Sequence, residues 1–494
     1  MATAIQRCLV QQLRSRSTGK RSLIILKQRP VGVEISKEFA ETCSYQGHQA
    51  RCSHVFPNSD FLTLLQTRGI CEGIFPNTRP NEVNQLLSCP QSMYCGFDPT
   101  ADSLHIGNLL SLVLLLHGQR AGHTPIAVLG GATALIGDPS GKSKERRAMT
   151  AEEVENNILG LMENVQRIFK NHCELISHSS IPLSPLKILN NRDWYKSQDV
   201  ISFLSTTGRH FRLGEMLSRS SVQSRLNSKE GISCTEFMYQ VFQASDWLYL
   251  FENHNCSIQV GGNDQTGNIS SGFDLIHRVT NKYVFGLLVP LILSPSGEKL
   301  GKSTGNSVWL DSKKTSPFEF YQYFLNLPDS AIEGFLKLFT FLKNDEITSV
   351  VDSHSASPEK RIGQKTLAEQ MTLLVHGDSG LESAQRCTAV LFGNSVLTLS
   401  SMGLEELQQL VKNASTTELS LTSDLSLKDL CLKIKCFKNE VDAERIIKAG
   451  GVYLNQQRVS DPELRIGDGG HILSNHITLV RVGKKNFYVV RWRV

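Results

Sequence analysis

Short apolar runs alternate with longer stretches of helical period between Met93 and about Leu310, the pattern of an α/β domain built on a largely parallel sheet. Residues 94–97 predict the first strand. A loop over 98–107 leads into an apolar helix at 108–117. A second strand, 124–129, runs into Gly130-Gly131 and the turn-rich Gly137-Asp138-Pro139-Ser140-Gly141. Residues 236–251 have the length of a helix and carry Tyr239, Gln243 and Asp246 at i, i+4 and i+7, which sets three polar side chains on one face. A strand at 257–260 then ends in Gly261-Gly262-Asn263-Asp264-Gln265. An apolar run at 287–293 closes the block before a loop at 294–303. Glycine turns at the carboxyl ends of strands are where doubly wound sheets bind ligands.

Beyond residue 315 the period becomes helical. Ser330-Ala331-Ile332-Glu333 has the spacing of a capping box, Ile332, Phe335, Leu336 and Phe339 recur at three and four residues, and helices are expected at 368–375 and 381–391. A Ser/Thr-rich stretch at 413–426 reads as a linker. The last block, 427–494, is small and basic: a helix at 441–449 stopped by Gly450-Gly451, a strand at 452–454, a turn at Asn455-Gln456 and short strands after it. The expected organisation is a leader at 1–33, a polar lead-in at 34–92 with one amphipathic segment at 61–67, an α/β domain at 93–314, a helical domain at 315–412, the linker and the terminal module.

Composition narrows the class. Hydrophobic residues make up 40% of the 494 and charged residues 20%, a globular balance rather than a disordered or collagen-like one. No apolar run approaches the roughly 18 residues of a membrane span, and no membrane partner is expected. The net charge of +5 is unevenly spread: residues 1–33 hold seven Lys/Arg and no acid, residues 427–494 hold thirteen against seven, and the rest hold 32 against 40. An acid-free start with Arg7, Arg14 and Arg16 among Leu9, Val10 and Leu13 reads as a mitochondrial transit segment, which places the mature chain in the matrix. The twelve cysteines form no C-x-x-C pair, so reduced thiols and no structural zinc are expected.

Glycine loops beside Lys142 suggest phosphate binding. Gly137 to Lys142 has three residues between its glycines where a P-loop needs four, and no G-x-G-x-x-G opens a helix after the first strand. What remains is two phosphate-facing clusters: His105-Ile106-Gly107-Asn108 at a helix start, and Lys299-Leu300-Gly301-Lys302-Ser303 in a loop. Helix-start amides, imidazole and ammonium groups together suit nucleotidyl transfer with pyrophosphate as the leaving group.

These two clusters resemble the hallmark motifs of the class I aminoacyl-tRNA synthetases, which implies a catalytic domain built on a Rossmann-like parallel sheet. Residues 94–105, Tyr-Cys-Gly-Phe-Asp-Pro-Thr-Ala-Asp-Ser-Leu-His, with 137–142, 239–246 and 261–265 in the same order, resemble the tyrosyl members, and with the transit-like start the mitochondrial ones. The resemblance implies ATP-dependent activation of L-tyrosine to tyrosyl-adenylate and transfer to the 3′ end of mitochondrial tRNA(Tyr). It puts Tyr94 and Asp246 on the phenolic hydroxyl, Asp138, Tyr239 and Gln243 on the α-ammonium group, and Gln265 near the carboxylate. Cys95, Asp98, Asn108, Gly262 and Asp264 would contact ATP. Thr100, His105, Lys142, Arg146, Lys299 and Lys302 would act on the phosphates, with Mg²⁺ accompanying ATP; Arg147 is expected in solvent.

Asn108 stands where the family motif commonly has a second His, and Thr266 where bacterial relatives often have Trp. An amide still donates a hydrogen bond but carries no positive charge. Residues 443–452, Ala-Glu-Arg-Ile-Ile-Lys-Ala-Gly-Gly-Val, resemble an RNA-binding module shared with a small-subunit ribosomal protein, with Arg445, Lys448, Arg458, Lys484 and Lys485 as candidates for phosphate contact. By the same resemblance the helical domain reads the anticodon and the chain is a homodimer. Two rivals stand beside this reading: the tryptophanyl enzyme, which the Tyr94–Asp246 pair opposes, and a splicing-type RNA scaffold that does not depend on aminoacylation.

Overall fold

The computed structural model describes residues 61–142, 144–177, 182–292, 307–392, 415–420, 424–467, 470–483 and 486–493. The expected transit segment, Lys299, Lys302, Lys484 and Lys485 lie outside the described residues. Helix α1 (Phe61–Thr67), strand β1 (Gly73–Phe75) and helix α2 (Pro80–Leu87) come first. Then follow β2 (Ser92–Phe97), α3 (Ile106–Arg120), β3 (Thr124–Leu129), the one-turn α4 (Thr133–Ile136), α5 (Ala151–Asn171) and β4 (Lys187–Asn190). Four short helices, α6 (Arg192–Tyr195), α7 (Val200–Thr206), α8 (Leu213–Ser218) and α9 (Ser220–Leu226), lead to α10 (Cys234–His254), β5 (Cys256–Gly262), α11 (Thr266–Thr280) and β6 (Phe285–Val289).

The strands assemble in the order β1-β6-β5-β2-β3-β4, parallel except for β1, which pairs antiparallel with β6 at the edge. Strands β3 and β6 are near-continuous apolar runs because helices cover both faces. The chain winds outward through β2, β3 and β4 on one side and through β5 and β6 on the other. The crevice at the carboxyl ends of β2 and β5 is therefore the topological switch point, and Asp98 and the Asn263–Gln265 turn open into it. Helix α3 is buried all round over residues 109–119, since it lies between the sheet and the helical region.

Helices α12 (Pro317–Leu325), α13 (Asp329–Phe339), α14 (Asn344–Ala356) and α15 (Ile362–Phe392) make up that region. Helix α12 starts on a capping box, Ser316 with Glu319, and Pro317 at its first position. Helix α13 does not use the expected Ser330–Glu333 box: Pro328 and Asp329 begin the helix earlier, and Glu333 pairs with Lys337 (2.6 Å) one turn on. The two helices expected at 368–375 and 381–391 are halves of α15, broken at Gly377 (φ 73°). Side chains of α5 satisfy the carbonyls freed there, Asn171 Nδ2 donating to Leu374 O (3.0 Å) and Arg167 Nε to Val375 O (2.9 Å).

Three expected boundaries move. The lead-in supplies β1 to the main sheet and Leu62, Leu65, Ile70, Val83 and Leu87 to its core, so the α/β domain begins before residue 93. Nothing divides the core at 314/315, because Leu310, Phe320, Phe324, Leu336 and Leu374 belong to the same cluster as Ile106 and Leu110. The expected linker contains β7 (Ser415–Ser420), which pairs in parallel with the last strand.

The terminal module adds α16 (Leu427–Lys433), α17 (Glu440–Lys448), β8 (Val452–Leu454), β9 (Gln457–Val459), β10 (Ile477–Val482) and β11 (Asn486–Arg493) in a sheet of order β7-β11-β10-β8-β9. Its core is separate, built on Leu427, Ile447, Val452, Leu454, Val480, Val490 and Trp492. Asn455 and Gln456, both at positive φ, make the tight β8–β9 hairpin. Among the described residues no helix is long and apolar enough to cross a membrane.

Candidate active site

Strand β2 carries Tyr94 into the interior, 2% exposed, with its ring beside that of Trp247 and, among the described residues, no hydrogen-bond partner on its hydroxyl. Helix α10 brings Asp246 close enough for its charge to act on that hydroxyl, without a hydrogen bond between the two. The Asp246 carboxylate accepts from three donors: Asn191 Nδ2 (3.0 Å), Trp194 Nε1 (2.9 Å) and the Tyr195 hydroxyl (2.8 Å). Burial nevertheless raises its pKa to about 7, the three hydrogen bonds pulling the other way. The arrangement is a buried acceptor beside an unpartnered hydroxyl, which suits a ligand that presents one O–H group.

Asn191 ties this end of the pocket to the next. Its Nδ2 also donates to Thr133 Oγ1 (3.0 Å), and its Oδ1 accepts from the Ala132 N–H (2.7 Å). The Thr133 hydroxyl donates to Asp98 Oδ1 (2.7 Å) and the Tyr239 hydroxyl to Asp98 Oδ2 (2.9 Å). Burial again dominates for Asp98 and pushes its pKa to about 6, helped by the charge of Asp138 and opposed by Thr133, Tyr239 and Arg146. Gly130 is required where it stands: a Cβ there would collide with Asp98 Oδ1 and Thr133 Oγ1.

Asp138, 6% exposed, accepts at Oδ1 from the Ser140 N–H (2.9 Å) and at Oδ2 from Gln265 Nε2 (2.8 Å). Gln265 in turn accepts from Asn268 Nδ2 (3.0 Å). Gln243 lies half-buried between Tyr239 and Asp246 along α10. Asp98 and Asp246 are thus joined through Thr133 and Asn191, and the charge of Asp138 acts on Asp98 as that of Asp98 acts on Asp246. A cationic ligand would relieve their mutual repulsion.

The start of α3 forms the other half of the site. His105 Nδ1 accepts from the Gly107 N–H (3.1 Å), so Nε2 is the protonated, donating nitrogen. Asn108 Oδ1 accepts from the His105 N–H (3.2 Å), which gives the residue in place of a second His a capping task and leaves its amide NH₂ as donor. The segment after residue 306 is bolted to this motif, Ile106 N–H to Val308 O and Leu310 N–H to Leu104 O, both 2.9 Å. Thr100 follows Asp98 in the same turn, its N–H donating to Asp98 O (2.8 Å). Gly262 admits the Asp264 carboxylate, whose Oδ1 would lie 2.7 Å from a Cβ at that position. Thr266 closes its own turn by donating to Asn263 O (2.7 Å).

The remaining candidates divide. Lys142 is exposed at the rim, and Arg146 Nε donates to Asp138 O (2.9 Å). Arg147 pairs with Glu153 at the surface. The Cys95 thiol is buried, 4% exposed, with Ser111 as partner, and burial pushes its pKa up to about 12. In the terminal module Arg445 pairs with Asp442 (3.0 Å) and Lys448 with Glu444 (3.1 Å). Arg458 closes the end of α17, donating to the carbonyls of Gly450 (2.8 Å) and Ala449 (2.9 Å), which is a structural task. Sequence reasoning passed over Thr133, Asn191, Trp194, Tyr195 and Asn268. Three of them, Asn191, Trp194 and Tyr195, follow the carboxyl end of β4, whose Lys-Ile-Leu-Asn holds too few apolar residues to stand out as a strand in the sequence. Among the described residues no group of three or more His, Cys, Asp or Glu is gathered so as to hold a metal ion.

Comparison with known proteins gives the family. The family model for tRNA synthetases class I (W and Y) matches residues 88–393, and that for the tyrosine–tRNA ligase SYY-like C-terminal domain matches 406–490. The mitochondrial tyrosine–tRNA ligase of Drosophila melanogaster is 50% identical over 448 residues, covering 90% of this chain and 97% of that one. The Homo sapiens mitochondrial enzyme is 46% identical over 437 residues, covering 87% and 91%. A C-terminally truncated mitochondrial tyrosyl-tRNA synthetase from Coccidioides posadasii superposes with a TM-score of 0.59 at 32% identity, covering 66% of this chain and 90% of that one. The chain belongs to the class I tRNA synthetases of the tryptophan and tyrosine family and, within it, to the tyrosine–tRNA ligases.

Proposed function

We propose that this chain activates L-tyrosine with ATP, releasing pyrophosphate, and passes the tyrosyl group to the 3′ end of mitochondrial tRNA(Tyr) in the matrix. The observation that carries the reading is the Asp246 carboxylate, fixed by three donors beside the unpartnered Tyr94 hydroxyl. A tyrosine phenol donates to the one and accepts from the other, whereas phenylalanine leaves both buried groups unpaired; tyrosyl-tRNA synthetases are themselves the standard example of such discrimination.

In this reading the substrate ammonium group meets Asp138, Tyr239 and Gln243, and Gln265 lies near the carboxylate. That carboxylate is already a nucleophile at neutral pH and attacks the α-phosphorus without a general base. Catalysis is then positioning and charge stabilisation. Cys95, Asp98, Asn108, Gly262 and Asp264 face the nucleoside. Thr100, His105 through Nε2, Lys142, Arg146, Lys299 and Lys302 take up the charge moving onto pyrophosphate. Mg²⁺ accompanying ATP would supply charge neutralisation there, without a dedicated ligand set among the described residues of this chain. In the second step the terminal ribose hydroxyl attacks the adenylate carbonyl and AMP leaves.

Residues 315–412 are proposed to meet the anticodon and the terminal module to grip the tRNA backbone through Arg445, Lys448, Lys484 and Lys485, Arg458 serving the fold. Exposed Val200, Ile201, Leu204 and Leu213 on α7 and α8 support a second copy packing there as a homodimer. The acid-free basic start of the chain and the mitochondrial relatives support import into the matrix. The direct test is charging of a mitochondrial tRNA(Tyr) transcript with labelled tyrosine by the chain lacking residues 1–33. Tyrosyl-tRNA should accumulate with ATP present; tyrosine activation without charging would refute the second half of the proposal.

A further inference from the structure

Arg225 and Glu236 are an ion pair in the interior, 1% and 2% exposed, on the last turn of α9 and the first turn of α10. Arg225 Nη2 lies 2.9 Å from Glu236 Oε2 and Nη1 3.3 Å from Oε1. Arg225 also donates through Nε (3.2 Å) and Nη2 (3.0 Å) to Gly231 O, fixing the turn that leads into α10. A buried pair of this kind contributes little net stability, because an apolar pair of equal volume holds a core as well or better. Its presence so close to the pocket therefore points to another task.

That task is visible in the third partner of Glu236. Its Oε1 accepts from the backbone N–H of Arg146 (3.2 Å), in an irregular stretch where that N–H has no main-chain partner among the described residues. The Arg146 stem then lies over Gly137, where a Cβ would be 3.6 Å from Arg146 Cβ and Cδ, and Gly137 has the positive φ (87°) that lets the chain pass beneath. Nε ends on Asp138 O (2.9 Å), and the guanidinium charge reaches Asp98. Glu236 thus sets the backbone from which Arg146 extends, and Arg225 holds Glu236 in place. The same two residues anchor the start of α10, the helix that presents Tyr239, Gln243 and Asp246.

We propose that Arg225 and Glu236 are positioning residues for Arg146, acting on the pyrophosphate side of the activation step through the Glu236 Oε1 acceptor. The inference rests on the assignment of Arg146 to pyrophosphate, and the experiment separates the two. Pyrophosphate exchange is measured with two neutral replacements of the pair in the chain lacking residues 1–33. Arg225→Met with Glu236→Leu fills the space but removes the acceptor; kcat should fall about 100-fold, the scale of a misplaced catalytic group, with KM for tyrosine nearly unmoved and the melting temperature kept or raised. Arg225→Met with Glu236→Gln keeps an acceptor and should recover most of the rate. Adding Arg146→Ala to the Met/Leu pair should cost little further, because both act through one group.

Wild-type kcat in the folded Met/Leu variant, while Arg146→Ala alone is slow, would overturn this proposal and leave the assignment of Arg146 standing. Wild-type kcat in Arg146→Ala would overturn that assignment itself, and this proposal with it. Should the Met/Leu pair not fold, Glu236→Gln and Glu236→Ala, each leaving Arg225 unpaired, make the same comparison. The first should be faster by about tenfold or more, and equal rates would refute the proposal.

Discussion

Replacing Asp246 with Asn isolates the group proposed to read the phenol. The carboxylate accepts from Trp194 and Tyr195 at Oδ1 and from Asn191 at Oδ2. An amide whose oxygen faces Trp194 and Tyr195 must turn its NH₂ toward Asn191 Nδ2, donor against donor. Asn191 cannot escape by flipping its own amide, because its Oδ1 is held by the Ala132 N–H (2.7 Å). The bound phenol also loses an ionised acceptor. The unsatisfied donor is there with or without substrate and costs about 1–3 kcal/mol of stability, whereas the weakened hydrogen bond to the phenol, about 1.5–3 kcal/mol for a charged acceptor, is what tyrosine alone loses. At about 1.4 kcal/mol per decade this lowers kcat/KM for tyrosine by about 10- to 100-fold. Pyrophosphate exchange over a range of tyrosine concentrations, with the melting temperature taken in parallel, measures it. Phenylalanine, which makes neither contact, should be nearly unaffected. A loss below about fivefold, or equal losses for the two amino acids in folded protein, would refute the reasoning.

The raised pKa of Asp246, about 7, gives kcat/KM for tyrosine an acid limb: the ionised acceptor is lost as pH falls through 7, and the Asn variant should lack the limb in a pH–rate profile. Because native Asp246 and Asp98 hold protons above the ordinary carboxylate range, their contribution to stability falls as pH rises from about 4 through 7; chemical denaturation of Asp246→Asn against the parent should show a difference that shifts in the variant's favour across that window. Gly130→Ala, forced against Asp98 and Thr133, should cost about 1–3 kcal/mol of stability and lower exchange activity, both readable from denaturant titration and kinetics. Ending the chain at residue 414 removes a module with its own core, so exchange should be retained while tRNA charging drops about tenfold or more at moderate salt; parallel loss of both would show that the module is not independent.

Much of the catalytic half was legible in the chain itself. Strand β3 runs over 124–129 and β8 over 452–454 as the patterns predict, because each is an apolar run bounded by turn residues. The strings around Asp98, Asp138, Asp246 and Gln265 converge because three of them follow strand ends at the switch point and the fourth lies on the helix facing it. The edges were harder. Strand β1 has three residues, too few for an alternation to appear, and β7 is the polar Ser-Thr-Thr-Glu-Leu-Ser, which reads as a linker until β11 supplies its hydrogen bonds and Arg491 and Arg493 pair with Glu418. Asn191, Trp194 and Tyr195 escaped notice because no glycine marks their turn. Their function is to hold Asp246, and that appears only once β4 lies beside β3.

Amino-acid-dependent exchange of labelled pyrophosphate into ATP, by the chain lacking residues 1–33 and with tyrosine, phenylalanine and tryptophan offered separately, tests the central claim most directly. Exchange with tyrosine alone is the predicted result, since only tyrosine satisfies Asp246 and Tyr94 together. Exchange with phenylalanine or tryptophan at a comparable rate, or none with any of the three from folded protein supplied with Mg²⁺, would contradict it.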